Sequence, residues 1–317
     1  MKRSTGGYFY IVLCALIFST MEIMLKTVHG VFAPMQITAL RFLIGGVLLI
    51  PFAAHTLRKK GERLRRRDLG FFLLTGFLCV VLSMVIYQMA VTHTKASVVA
   101  VIFSCNPIFV TVLAALLLHE EIRRNHILAL ILEVLAIVII VNPLHTQLDP
   151  LGVLLAILSA LLFSFYSVVG KRASARLGGI VVTCCTFLCG AMELISLLLL
   201  GRGPLADPFR TAGLDIFVNV PLFSGIPASA LPSLFYICAI NSAAGFVCHM
   251  LAMEKTSARE ASLIFFLKPM LAPVLALVFL HESIPVNMLV GIACFLIGSG
   301  VAILPGFVAA RRQSAET

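Results

Sequence analysis

The chain has 317 residues, of which 60% are hydrophobic and 12% charged, with mean hydropathy +1.07 and a formal net charge of +10. Soluble domains carry about a quarter charged residues, so this composition excludes an ordinary water-soluble protein. The longest polar interval, 201–229, is itself rich in Pro, Gly and apolar residues and offers no room for an inserted soluble catalytic domain.

Apolar stretches near the twenty-residue spanning length recur along the chain. In order they are 8–26, 34–54, 70–91, 96–118, 127–141, 151–170, 180–200, 230–251, 261–280 and 286–304. A lone span must satisfy its backbone internally, and the period-two pattern of a lipid-facing barrel is missing, so all are read as helices. The first is not read as a cleaved signal: the run continues past Glu22 without a small-x-small cleavage site. The expected fold is an all-α integral membrane protein with ten transmembrane helices.

The basic residues alternate in density between the loops. With ten spans, eighteen Lys and Arg fall on one side, seven of them in "RKKGERLRRR" at 58–67; four fall on the other side, and Arg41 and Lys268 fall inside spans. The positive-inside rule then places both termini in the cytoplasm of a cell or inner membrane. The same run can meet anionic lipid headgroups. Nucleic acid is not an expected partner, because no aromatic residues interleave with the basic ones. The nine cysteines lie almost entirely within spans, and "CCTFLC" has no standard zinc spacing, so no metal or other cofactor is expected.

The chain repeats itself. "LCALIFSTMEIMLK" (13–26) aligns with "LSALLFSFYSVVGK" (158–171) at an offset of 145, and 87–122 aligns with 249–284 at an offset of 162. The second alignment pairs Pro107 with Pro269, "VLA" with "VLA" and "LHE" with "LHE". Residues 1–145 and 146–317 are therefore read as two five-helix repeats. Five is odd, so the second copy enters the membrane from the opposite side. Inverted repeats are a device of secondary transporters, in which two arrangements of the halves open a central site alternately to each side.

The "FSTMEIMLK" and "ALRFLIGGVLL" segments and the twin "NPIFVTVLAALLLHE" and "KPMLAPVLALVFLHE" blocks resemble the EamA-type branch of the drug/metabolite transporter superfamily over nearly the whole chain. The resemblance implies a ten-helix fold around a central substrate cavity walled by helices 1, 3, 4, 6, 8 and 9. Many relatives carry Trp-Gly in helix 1, where this chain has "IFST".

Ionisable groups inside spans are costly and are functional candidates by default. Lys268 can bind a substrate carboxylate or phosphate; otherwise it pairs with a carboxylate or snorkels to the inner interface. Pro269 and Pro273 beside it remove two helical hydrogen bonds, and the Asn106-Pro107 and Lys268-Pro269 pairs are expected where each half breaks its helix. Glu22 either pairs with Lys26 one turn on or titrates and couples protons to transport. Arg41 attracts an anionic substrate or pairs with Glu22. Glu133 and Glu193 are read as interhelix partners, and Asn241, Ser242, Tyr87 and Gln88 as packing or cavity-lining groups. "HEEIR" and "HESIP" lack the second His of a zinc peptidase and are read as helix ends.

These features point to a secondary transporter of a small polar metabolite, amino-acid-like or an organic anion, acting as an exporter or exchanger. The rival reading is an integral-membrane enzyme acting on a lipid-linked substrate, which would need a carboxylate or histidine cluster at one membrane face.

Overall fold

The computed structural model describes residues 5–119, 124–141, 149–203, 206–211, 213–261 and 263–315, and every regular element among them is helical. The first half contains α1 (Thr5–Ser19), α2 (Met21–Thr27), α3 (Pro34–Lys60), α4 (Arg66–Gly76), a π-helical segment (Phe77–Met84), α5 (Val85–His93), α6 (Ala96–Phe103), α7 (Asn106–Leu118) and α8 (Arg124–Val141). The second contains α9 (Pro150–Leu177), α10 (Gly179–Leu200), the short α11 (Ala206–Thr211), α12 (Leu231–Phe235), a second π-helical segment (Tyr236–Ala244), α13 (Gly245–Lys255), α14 (Ala258–Ala261), α15 (Ile264–Leu280) and α16 (Val286–Ala315).

Among the described residues, seven helical stretches are long and apolar enough to cross a membrane: Gly6–Thr27, Pro34–Lys60, Arg66–His93, Ala96–Leu118, Pro150–Leu177, Gly179–Leu200 and Ala228–Lys255. The apolar helices Ile127–Ile140, Leu271–Leu280 and Val286–Gly298 are shorter than that length. Large apolar side chains such as Phe52, Leu116, Phe235 and Phe279 are exposed on the outside, as a lipid-facing surface requires.

Local chemistry accounts for the helix ends. Pro34 starts α3 where no N–H is needed, and Gly61 ends it with φ 66 behind Arg58, Lys59 and Lys60. Asp149 accepts from the Leu151 N–H to cap α9, with Pro150 behind it. His119 and His281, the histidines of the twin "LHE" blocks, each take the left-handed cap position with φ near 53–54, so both do end helices.

The first span is helical from Gly6 to Thr27 with a single turn residue at Thr20, whose hydroxyl meets the Ile17 carbonyl, the Tyr236 hydroxyl and the Asn241 amide. One sequence expectation changes, that of the twin proline pairs. The chain breaks at Ser104 and Cys105, so Asn106 and Pro107 open α7, where a proline is tolerated. In the second half the break falls earlier, before Ile264, and α15 runs through Pro269 and Pro273. Only the first half breaks its helix at the proline pair.

The halves of the bundle pack on small residues. A Cβ on Gly76 would stand 2.5 Å from the Gly190 backbone nitrogen, so the helix of α4 and its π segment crosses α10 at backbone contact. Thr75 and Thr186 hydrogen-bond across the same seam at 3.0 Å, and Ser83 and Ser159 join the π segment to α9. Small residues with hydroxyl bridges are how membrane helices associate where the hydrophobic effect gives no drive.

Candidate functional site

α2 carries Glu22 into the bundle, where α15 presents Lys268. Lys268 and Glu22 form an ion pair, and both are fully buried, at 1% and 0% exposure. The ammonium also lies 4.9 Å from the Phe103 ring centre and 5.9 Å from that of Tyr87. Tyr87 and Phe103 are themselves packed edge to face at 5.0 Å. A cation facing two aromatic rings gains quadrupole attraction, and its carboxylate partner offsets part of the cost of a charge out of water. Of the two sequence readings for Lys268, a carboxylate partner is the contact observed.

Glu22 is therefore not paired with Lys26. Lys26 instead donates to the carbonyls of Val91 and Thr94, both at 3.0 Å, at the end of α5. Nor does Arg41 pair with Glu22 among the described residues. It is fully buried in α3, its guanidinium lies 4.6 Å from the Phe42 ring centre, and none of its three nitrogens has a hydrogen-bond partner.

The neutral candidates divide. Asn241 donates to the Ile17 carbonyl and to Thr20, so it braces the break between α1 and α2. Asn106 donates to the Ala160 carbonyl at 3.0 Å and accepts from Ser164 through its backbone, which turns it toward α9. Tyr87, Gln88 and Ser242 are buried, with the Gln88 carbonyl and the Ser242 hydroxyl lacking partners. Glu193 is half-buried with one oxygen unpartnered, and the Glu133 side chain lies outside the described residues.

A second polar pair was not singled out from the sequence. Ser167 and His249 hydrogen-bond at 2.9 Å in a buried site, with His249 ringed by Phe163 at 5.2 Å, Phe265 at 6.0 Å and Phe18 at 6.2 Å. The 162-residue alignment pairs Tyr87 with His249, and the 145-residue alignment pairs Glu22 with Ser167. That correspondence was the available signal.

Among the described residues, no three His, Cys, Asp or Glu side chains group to hold a metal. Glu282 of "HESIP" has a helix-capping part: its carboxylate accepts from the Ala96 and Ser97 backbone N–H groups and from the Ser97 hydroxyl, tying the end of α15 to the start of α6. A small crevice of about 40 Å³ lies next to this tie, lined by Lys95, Ser97, Asn287 and Met288 among others, with neither Glu22 nor Lys268 in its lining. The polar cluster itself is closed to solvent.

The model of the EamA-like transporter family matches residues 5–142 and 150–304. An uncharacterized transporter of Clostridium kluyveri is 36% identical over 301 residues, covering 92% of this chain and 91% of that one. A probable terminal-alkyne amino-acid exporter of Streptantibioticus cattleyicolor is 26% identical over 258 residues, covering 81% and 80%. The pseudopaline exporter CntI of Pseudomonas aeruginosa is 27% identical over 171 residues, covering 54% and 58%. A crystal structure aligns with TM-score 0.68 at 19% identity, covering 95% of this chain and 98% of that one, which shows a shared fold. With apolar helices throughout and the family model matched over both halves, this chain is a multi-pass membrane transporter, not an enzyme, and belongs to the EamA-like transporter family.

Proposed function

We propose that the protein is a secondary transporter that moves a small polar metabolite by alternating access, with the buried Lys268–Glu22 pair at its working centre. The single observation that carries this reading is that pair: a cation and an anion held away from solvent at the meeting of α2, α5, α6 and α15. Intramembrane charges are retained where a pathway needs them.

Alternating access requires two related halves, and the cluster supports that requirement. Each member in one half has an aligned counterpart in the other: Phe18 with Phe163, Glu22 with Ser167, Tyr87 with His249, Phe103 with Phe265, and Asn106 with Lys268. Their contacts correspond as well, since Phe18 meets Phe265 at 6.4 Å and Phe163 meets Phe103 at 5.4 Å. Both halves also carry a π segment in the equivalent helix. On this reading the fold is ten spans in two inverted five-helix repeats, residues 1–145 and 146–317, with both termini cytoplasmic. Each half supplies one charge of the pair, Glu22 from the first and Lys268 from the second, and a neutral polar residue, Ser167 or Asn106, at the position equivalent to the other half's charge. The probable terminal-alkyne amino-acid exporter and the pseudopaline exporter among the relatives favour an amino-acid-like or organic-anion solute. Glu22, facing Lys268, is the group through which protons would couple.

The test is flux in proteoliposomes against a broad panel of amino acids and organic acids, with and without a pH gradient. Saturable movement of one class supports the reading. No saturable flux for any member overturns it.

A further inference from the structure

Forming the ion pair leaves one cation over. Glu22, Arg41 and Lys268 are the fully buried Asp, Glu, Lys and Arg side chains among the described residues. Lys268 and Glu22 cancel each other, so the core retains the single positive charge of Arg41. Nothing neutralises it: among the described residues no carboxylate is within ion-pair distance of Arg41, and its contact is the Phe42 ring.

A structural arginine in such a place spends its donors. Other cations of this chain do so: Lys26 donates to two carbonyls, Arg176 pairs with Asp68, Lys60 pairs with Glu254, and Arg202 donates to the Val220 carbonyl. In Arg41, Nε, Nη1 and Nη2 are all buried and all without a partner. Arginine cannot escape by shedding its proton. A planar guanidinium with its donors free matches the two oxygens of a carboxylate. Its position suits exchange too. Arg41 is carried by α3, which packs against both π segments, and π segments are places where a helix readily rearranges, frequently at functional sites.

We propose that Arg41 is the anion subsite of the transport path and takes one carboxylate of the substrate, while the Lys268–Glu22 pair meets the rest of the solute. The proposal rests on the transport reading above and narrows it. The substrate is then a carboxylic acid or an amino acid; sugars, amines and nucleosides without a carboxylate fall outside it.

The test uses the full chain purified in detergent, with thermal unfolding followed by a thiol-reactive dye that reads the nine cysteines. The probes are lactate, succinate, alanine and glutamate at millimolar concentration, each beside its neutral amide. Wild type is expected to shift upward with at least one carboxylate and not with its amide. Arg41→Met should unfold at a higher temperature than ligand-free wild type, because an uncompensated charge has been removed, and should lose the ligand shift. Arg41→Lys should keep the charge and bind roughly ten- to a hundredfold more weakly, the worth of a charge-assisted hydrogen bond. The proposal is overturned if no carboxylate shifts wild type, if the amides shift it equally, if Arg41→Met unfolds earlier or cannot be purified folded, or if it keeps the wild-type shift. Flux in proteoliposomes separates the two claims: transport of a solute without a carboxylate, unchanged in Arg41→Met, sinks the subsite and leaves the transporter standing.

Discussion

Severing the Lys268–Glu22 pair gives the most quantitative expectation. Both groups are out of water, so removing one leaves the other charged or forces it to neutralise. At pH 7, neutralising an unpaired lysine of ordinary pKa costs about 4.6 kcal/mol, and an unpaired glutamate about 3.7 kcal/mol. These are ceilings, because the alternative of staying charged is chosen only when it costs less. Phe103, 4.9 Å from the ammonium, lowers the lysine figure by about 1 kcal/mol. Glu22→Gln should therefore destabilise by roughly 3–4 kcal/mol and Lys268→Met by roughly 3 kcal/mol, within the range for breaking a buried pair. The double variant leaves no orphaned charge and should fall within about 1 kcal/mol of wild type. Unfolding by SDS in mixed micelles measures all four proteins, and the cycle should return a coupling of at least about 3 kcal/mol. Additive single effects, with coupling below about 0.5 kcal/mol, would refute the pair.

Other changes follow from individual contacts. Gly190→Val places carbon atoms against the Gly76 carbonyl, 2.6 Å from the added Cβ, and should lower stability by about 3 kcal/mol or prevent folding, read by the same SDS titration; an unchanged midpoint would contradict the close crossing. Glu282→Ala strips three donors of their acceptor and should cost about 1–3 kcal/mol, with faster hydrogen exchange confined to the start of α6. Lys26→Met frees the Val91 and Thr94 carbonyls at the end of α5 and should cost about 1 kcal/mol, without altering the coupling measured between Glu22 and Lys268.

Much of the framework was legible because hydropathy reports directly on the solvent a segment meets. Helical stretches occupy the expected intervals, although α9 runs on to Leu177 and the third expected span reaches from Arg66 to His93. Those extensions are polar or basic ends that composition windows trim. The intramembrane charges were visible as anomalies in apolar runs, but their partners were not. Glu22 and Lys268 are 246 residues apart, and nothing local distinguishes that pairing from the i,i+4 contact with Lys26. The tertiary packing of α2 against α15 decides the matter, and no local sequence pattern reports it. The proline pairs misled for a related reason. A proline opens a helix or sits within one according to where the neighbouring turn falls, and the turns at residues 104–105 and at 263 lie at unequal distances from Pro107 and Pro269. His249 and Ser167 were readable only by carrying the repeat alignment through to each candidate.

The central claim is that the buried pair serves transport and is not merely structural. The double variant Glu22→Gln/Lys268→Met tests it directly, since it removes both charges and should remain folded. Reconstituted beside wild type at equal density, it should show no saturable flux of the solute that wild type moves. Wild-type flux from the double variant would contradict the account and reduce Lys268 and Glu22 to packing.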